Sequence, residues 1–252
     1  MKIHTFNLSL ALSMLLGLAS TSFLSAQDSY LSEEDLFTED VAPNSRIYDP
    51  LEAVNRYTFE FNDLVYSYVL QPVANGYTAI TPDPVEVGAS NFFSNLKFPV
   101  RLVGNLLQGR LKGAWVETGR FAINSTIGLA GFMTPADKME SFAPIKPEDV
   151  GQALGSWGIG EGPYLILPLL GPSNLRDLGG LIGDRAVNPL KEPFSLINDW
   201  DWEWRLALSG SEFIATSPAI LERYKQLKGN AIDPYSSLKN SFTQYRRGAV
   251  AE

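Results

Sequence analysis

The 252-residue chain reads as a mainly α-helical protein of one domain, with a single β-hairpin-like loop and part of its surface among acyl chains. Three observations lead there. Apolar residues recur at three- and four-residue steps through several long segments, the period of a helix. Those segments are apolar on more than one side, which a helix with one face in water does not need. Between Asp149 and Asp184 the pattern changes to a glycine- and proline-punctuated stretch around an unbroken apolar run, Tyr164 to Leu170.

The N-terminus has the layout of a secretory signal over residues 1–26: Lys2 near the start, an apolar run from Leu8 to Ala19, and small residues from Thr21 to Ala26. A retained anchor helix is the alternative, although the apolar run is short for a bilayer. Leu24-Ser25-Ala26 would close a lipoprotein signal if cysteine followed, but Gln27 stands there and the sequence has no cysteine. We therefore expect cleavage after Ala26, no N-terminal lipid and no disulfide. Cleavage removes Lys2 and His4, leaving 19 basic and 28 acidic side chains, a net charge near −9 and no histidine. Ser-His-Asp and Cys-His catalysis and the usual zinc sites then lack their groups. An acidic balance also argues against nucleic acid. No cofactor is indicated.

Residues 27–47 are acidic and aperiodic and read as a solvated leader. Order is expected over 48–247, with 248–252 as a tail. Asp49 is placed to cap a first helix with Pro50 at its first position, and Leu51, Val54, Thr58, Phe61, Val65 and Tyr68 form its stripe. Tyr57, Phe59, Leu64 and Leu70 lie off that stripe, making the helix apolar on two sides. Pro82-Asp83-Pro84 opens a segment to Leu96, Pro99 breaks it, and helices follow at Val100–Leu107 and Arg110–Ile127. A brief helix is expected near Met133–Asp137. Asn124-Ser125-Thr126 matches a glycosylation acceptor but sits in an apolar helix, where a structural role fits better.

The glycine-dense stretch reads as a hairpin with arms Ala153–Trp157 and Tyr164–Leu167, joined through Gly158, Gly160 and Gly162. The stretch argues against a phosphate cradle, because Pro163 stands where G-x-G-x-x-G needs glycine and no strand-to-helix context follows. The run Tyr164–Leu170 is either a buried strand or a loop beside lipid. Ser173 is expected to cap a helix over 174–182, with Arg176-Asp177 either paired or bonding backbone near the hairpin, and Arg176 alternatively holding a lipid phosphate. Trp200, Trp202 and Trp204, interleaved with Asp201 and Glu203, suit a membrane–water boundary and equally a packed helix end. Helices at 204–213 and 218–227 follow, and Asp233-Pro234 starts a last one carrying Lys239, Arg246 and Arg247.

Several separated motifs together resemble the VacJ/MlaA family: Asp49-Pro50-Leu51-Glu52-Ala53-Val54-Asn55-Arg56, Phe59-Glu60-Phe61-Asn62, Arg120 through Gly128, Gly151-Gln152-Ala153-Leu154-Gly155, Gly162-Pro163-Tyr164, Leu167-Pro168 and Arg176-Asp177. The resemblance spans Tyr48 to Arg247. It implies a ring-like helical protein in the inner leaflet of a Gram-negative outer membrane, facing the periplasm. Such a protein removes misplaced phospholipids from the outer leaflet through a channel, passes them to a periplasmic lipid-carrier protein and associates with a trimeric porin. The resemblance implies a channel-gating hairpin at Val150–Leu169, including Gly155, Gly158, Gly160, Gly162, Pro163, Tyr164, Leu167 and Pro168. Asp49, Pro50, Asn55, Arg56, Phe61, Asn62, Arg176 and Asp177 carry the family motifs. Gln27 departs from that pattern, whose members carry a lipidated cysteine. A porin-associated scaffold without lipid passage is the competing reading, and a carboxylate hydrolase finds no convincing acid pair.

Overall fold

A computed structural model describes residues 47–191, 197, 199–229 and 231–252, so the signal segment and nearly all of the acidic leader lie outside the described residues. The described chain is mainly helical with one two-stranded sheet, as expected. α1 (Glu52–Val65) runs through a π-helical turn (Tyr66–Leu70) into α2 (Gln71–Ile80). α3 (Asp83–Leu96), α4 (Phe98–Leu107) and α5 (Leu111–Thr126) follow, then two 3₁₀ turns at Pro135–Lys138 and Glu140–Phe142. α6 (Val150–Ser156) precedes β1 (Tyr164–Leu167) and β2 (Gly171–Asn174). α7 (Leu175–Val187), α8 (Trp202–Gly229) and α9 (Pro234–Ala251) complete the chain.

α1 is turned inside out relative to its stripe. Val54, Tyr57, Phe61 and Leu64 are exposed, Tyr57 at 75%, whereas Asn55 and Asn62 are 2% and 3% exposed. Asp49 does not cap this helix, which starts after Leu51 without a side-chain cap. The Asp49 carboxylate instead accepts from Asn55 (2.9 Å), Tyr235 (2.5 Å) and Lys239 (2.8 Å), and so fastens the start of α1 to α9.

The hairpin differs from the expected one. Ala153–Trp157 is not its first arm, because residues 150–156 form α6, capped by Asp149, whose carboxylate accepts from the Gln152 amide at 2.7 Å. The glycines there serve contact between helices: a Cβ on Gly180 of α7 would lie 2.3 Å from the Gly151 amide nitrogen. Tyr164–Leu167 is instead the first strand, antiparallel to Gly171–Asn174, with Tyr164 opposite Asn174 and Leu167 opposite Gly171. Leu169, in the three-residue turn, has φ +64°, a conformation that costs a non-glycine residue roughly 1–2 kcal/mol.

Two further boundaries move. Asn174, not Ser173, caps α7, which continues past 182 to Val187. The segments expected at 204–213 and 218–227 are one helix, α8, with Pro218 inside it. Proline supplies no N–H to the Ile214 carbonyl, and the Ser217 hydroxyl donates to that carbonyl at 2.8 Å, so the helix continues. Asn124 is buried and its side chain accepts from the Ala136 amide, consistent with a structural role. Tyr164, Ile166, Tyr235 and Phe242 form one apolar cluster; Leu70, Ala74, Ile220 and Leu221 form another where α2 meets α8.

Candidate functional site: a charged cavity beside a clamped hairpin

The two buried asparagines of α1 explain why polar residues face inward. Asn55 donates from Nδ2 to the Tyr164 carbonyl at 3.0 Å and accepts at Oδ1 from the Ile166 amide at 2.8 Å. One heptad on, Asn62 donates to the Leu167 carbonyl at 3.0 Å and accepts from the Leu169 amide at 2.7 Å. A primary amide carries donor and acceptor side by side, as a peptide does. α1 thus substitutes for a neighbouring strand along the free edge of β1, and Asn62 holds the strained turn at Leu169.

The loop leading into β1 is fastened at both ends. The Trp157 indole donates to the Leu107 carbonyl at 2.9 Å, and the Glu161 carboxylate pairs with Arg247 of α9. Between them Gly158 and Gly160 meet open space, whereas Gly162, at φ +68°, lies against Leu175. Of the residues expected to form one gating hairpin, Gly155 falls in α6. Gly158, Gly160, Gly162 and Pro163 form the loop, Tyr164 and Leu167 bound β1, and Pro168 enters the turn.

The motif residues divide into two anchors. Around Asp49, Arg56 pairs with Glu52 and Asp233 and lies 4.3 Å over the Tyr235 ring. Pro50 precedes this turn and Phe61 remains exposed. Around Asp177, Arg176 bonds at 2.9 Å and Arg246 at 2.7 Å, while Arg246 also grips both oxygens of Asp149 at 2.5 and 3.0 Å. Arg246 lies 97 residues from Asp149, and no local pattern announces the pairing.

Beside this anchor lies a cavity of about 270 Å³, walled by α3, α4, α5, α7 and the 145–149 segment. Its charged lining comprises Lys97, Arg101, Arg120 and Arg185 against Glu117, Glu148, Asp149 and Asp184. Arg101 is paired with Glu117 at 2.8 Å, Arg120 with Asp137 at 2.6 Å, and Glu148 with Arg110. Burial opposes ionisation of Asp149, but Arg246 wins and holds its carboxyl below the usual range. Burial and then the Asp149 charge push Asp184 well above that range, against the hydrogen bond from the Val150 amide. The cations come from separate elements, so the cavity was not legible in any single motif.

The helices that wall the cavity also expose apolar residues: Val87 of α3, Leu106 of α4, Leu111 and Trp115 of α5 and Ile182 of α7. Tyr68 in the π-helical turn and Ile80 at the end of α2 are open as well, at 77% and 83%. Trp200, Trp202 and Trp204 are all exposed. No helix among these residues is long and apolar enough to cross a membrane.

Residues 47–249 match the family model described as MlaA lipoprotein. The chain is 31% identical over 200 residues to the intermembrane phospholipid transport system lipoprotein MlaA of Haemophilus influenzae, covering 78% of this chain and 76% of that one. For the Escherichia coli protein of the same name, identity is 32% over 199 residues, covering 78% and 76%. An uncharacterised Rickettsia prowazekii protein is 30% identical over 242 residues, covering 94% and 93%. A solved structure, described as the structural basis for maintenance of bacterial outer membrane lipid asymmetry, is similar with a TM-score of 0.63 and 31% identity. It covers 80% of this chain and 98% of its own.

Proposed function

The chain belongs to the MlaA family, and we propose that it takes misplaced phospholipids from the outer leaflet of an outer membrane and passes them to a periplasmic lipid carrier. The observation that carries this reading is the reversal of polarity: charged groups line a cavity while the helices that wall it expose apolar side chains such as Leu111, Trp115 and Ile182. A phospholipid needs that arrangement. Its headgroup crosses a polar passage while its acyl chains stay in hydrocarbon, and no covalent step is required.

The family relatives are named for intermembrane phospholipid transport, and the similar solved structure concerns outer-membrane lipid asymmetry. Both support placement at the outer membrane; its periplasmic side, beside a trimeric porin, is the position that the proposed hand-over requires. Gln27, in place of a lipidated cysteine, leaves anchoring to the apolar exterior. At roughly 25 cal/mol per Å², a few hundred Å² contribute several kcal/mol, comparable with one acyl chain. The 157–170 segment acts as the gate, with Asn55 and Asn62 as its fixed side.

Transfer of labelled phospholipid from proteoliposomes to a purified Mla-type carrier tests the reading. We expect transfer by the full chain, and at least a several-fold loss when Trp157→Cys and Leu107→Cys are bridged by a short bis-maleimide. Carrier or porin binding without transfer would contradict transport and favour the scaffold. Undiminished transfer in the bridged protein would remove the gate.

A further inference from the structure

We infer that Lys97 and Arg185 form a phosphate subsite on the cavity wall, with Glu212 and Lys191 behind it as an exchangeable counter-charge pair; this rests on the transport reading above. Glu212 is 0% exposed, and neither carboxylate oxygen has a hydrogen-bond partner among the described residues. It faces two buried lysines at distances longer than a good ionic hydrogen bond, Lys97 at 3.5 Å and Lys191 at 3.8 Å. Lys97 thus shares the carboxylate it faces with a second ammonium. Another cation stands nearby on the wall: Arg185 Nη1 is buried without a hydrogen-bond partner among the described residues.

The other charges of the lining are engaged. Glu117, Glu148 and Asp149 each have an arginine, and the shift of Asp184 favours its neutral form. An anion entering the cavity therefore meets two under-satisfied cations and few free carboxylate charges. Burial depresses the Lys191 ammonium against the pull of Glu212, with Arg185 and Lys97 adding to the depression, so the three cations act within one field. Isolated buried charges of one sign are costly, and an arriving anion offsets that cost. Glu212 keeps Lys191 when Lys97 turns toward the ligand, so the exchange orphans neither group.

Size narrows the ligand. At about 270 Å³ the cavity falls just below the roughly 300 Å³ typical of small-molecule pockets, which suits a headgroup phosphodiester and leaves acyl chains outside. Recognition through phosphate makes the site tolerant of the group beyond it. Zwitterionic and anionic phospholipids should both enter.

Calorimetric titration of the full chain in maltoside detergent tests this, with dihexanoyl phosphatidylglycerol, dihexanoyl phosphatidylcholine, dihexanoylglycerol and inorganic phosphate as probes. We expect both phospholipids to bind at least tenfold more tightly than dihexanoylglycerol. Arg185→Gln and Lys97→Gln should each reduce that preference about tenfold, and Arg185→Lys should largely retain it. Should Arg185→Gln fail to fold, Lys97→Gln decides. A preference unchanged in folded variants overturns the subsite, while continued transfer in proteoliposomes leaves the transport reading standing. Inorganic phosphate bound without displacement by either lipid would make this a free-anion site and overturn the headgroup assignment. Absence of transfer by the unmodified chain would instead sink the reading on which the subsite rests.

Discussion

Asn55 and Asn62 are the residues whose chemistry most clearly runs against the helical pattern around them. Each satisfies two backbone groups of the hairpin. Alanine at 55 leaves a buried carbonyl and a buried amide unpaired, at about 1–3 kcal/mol each. Asn55→Ala should therefore lower the unfolding free energy by about 2–6 kcal/mol in denaturant titration, and a loss below about 1 kcal/mol would contradict the clamp. Asp184 offers a test through pH. Its carboxyl is raised above the usual range in the fold, so the folded state holds a proton that the unfolded chain releases at an ordinary aspartate pKa. The stability this group contributes is complete below that ordinary value and is lost as pH rises toward the folded one. Asp184→Asn keeps an acceptor for the Val150 amide and removes this loss. Its stability relative to the unmodified chain should rise from pH 5 to pH 8, and a flat or falling difference would contradict the assignment.

At the scale of elements, legibility followed whether a signal was local. Prolines at 82, 84 and 99 and three- and four-residue spacing located α3, α4 and α5, because those cues act within a turn or two. The apolar run at Tyr164 marked β1. Its partner Gly171-Pro172-Ser173-Asn174 was not recognisable, since none of those residues favours a strand by itself and the pairing depends on the tight turn at Leu169. Glycine at 151 and 155 argued against a helix, yet α6 forms because those positions lie against neighbouring elements, Gly151 under Gly180 and Gly155 beside Val250. Intrinsic helix propensity lost to tertiary packing there. The division of α8 at Pro218 failed for a comparable reason, as one serine hydroxyl took the place of the missing N–H.

For the whole molecule, the sequence conveyed that too many helices are oily on two sides, and the structure shows where the second side goes. α1 buries amides against the hairpin and turns aromatic residues outward. The charged cavity was beyond sequence reasoning, because its cations at 97, 101, 120 and 185 come together only through the packing of α3, α4, α5 and α7. Transport by this chain requires polarity inside and hydrocarbon outside. The most direct measurement uses the absence of cysteine in this sequence, which makes a single nitroxide on Tyr57→Cys unambiguous. In reconstituted bilayers, collision with oxygen should exceed collision with a water-soluble nickel complex at that site, as in hydrocarbon. Nickel access equal to that of a label in open water would place α1 outside the membrane and contradict the account.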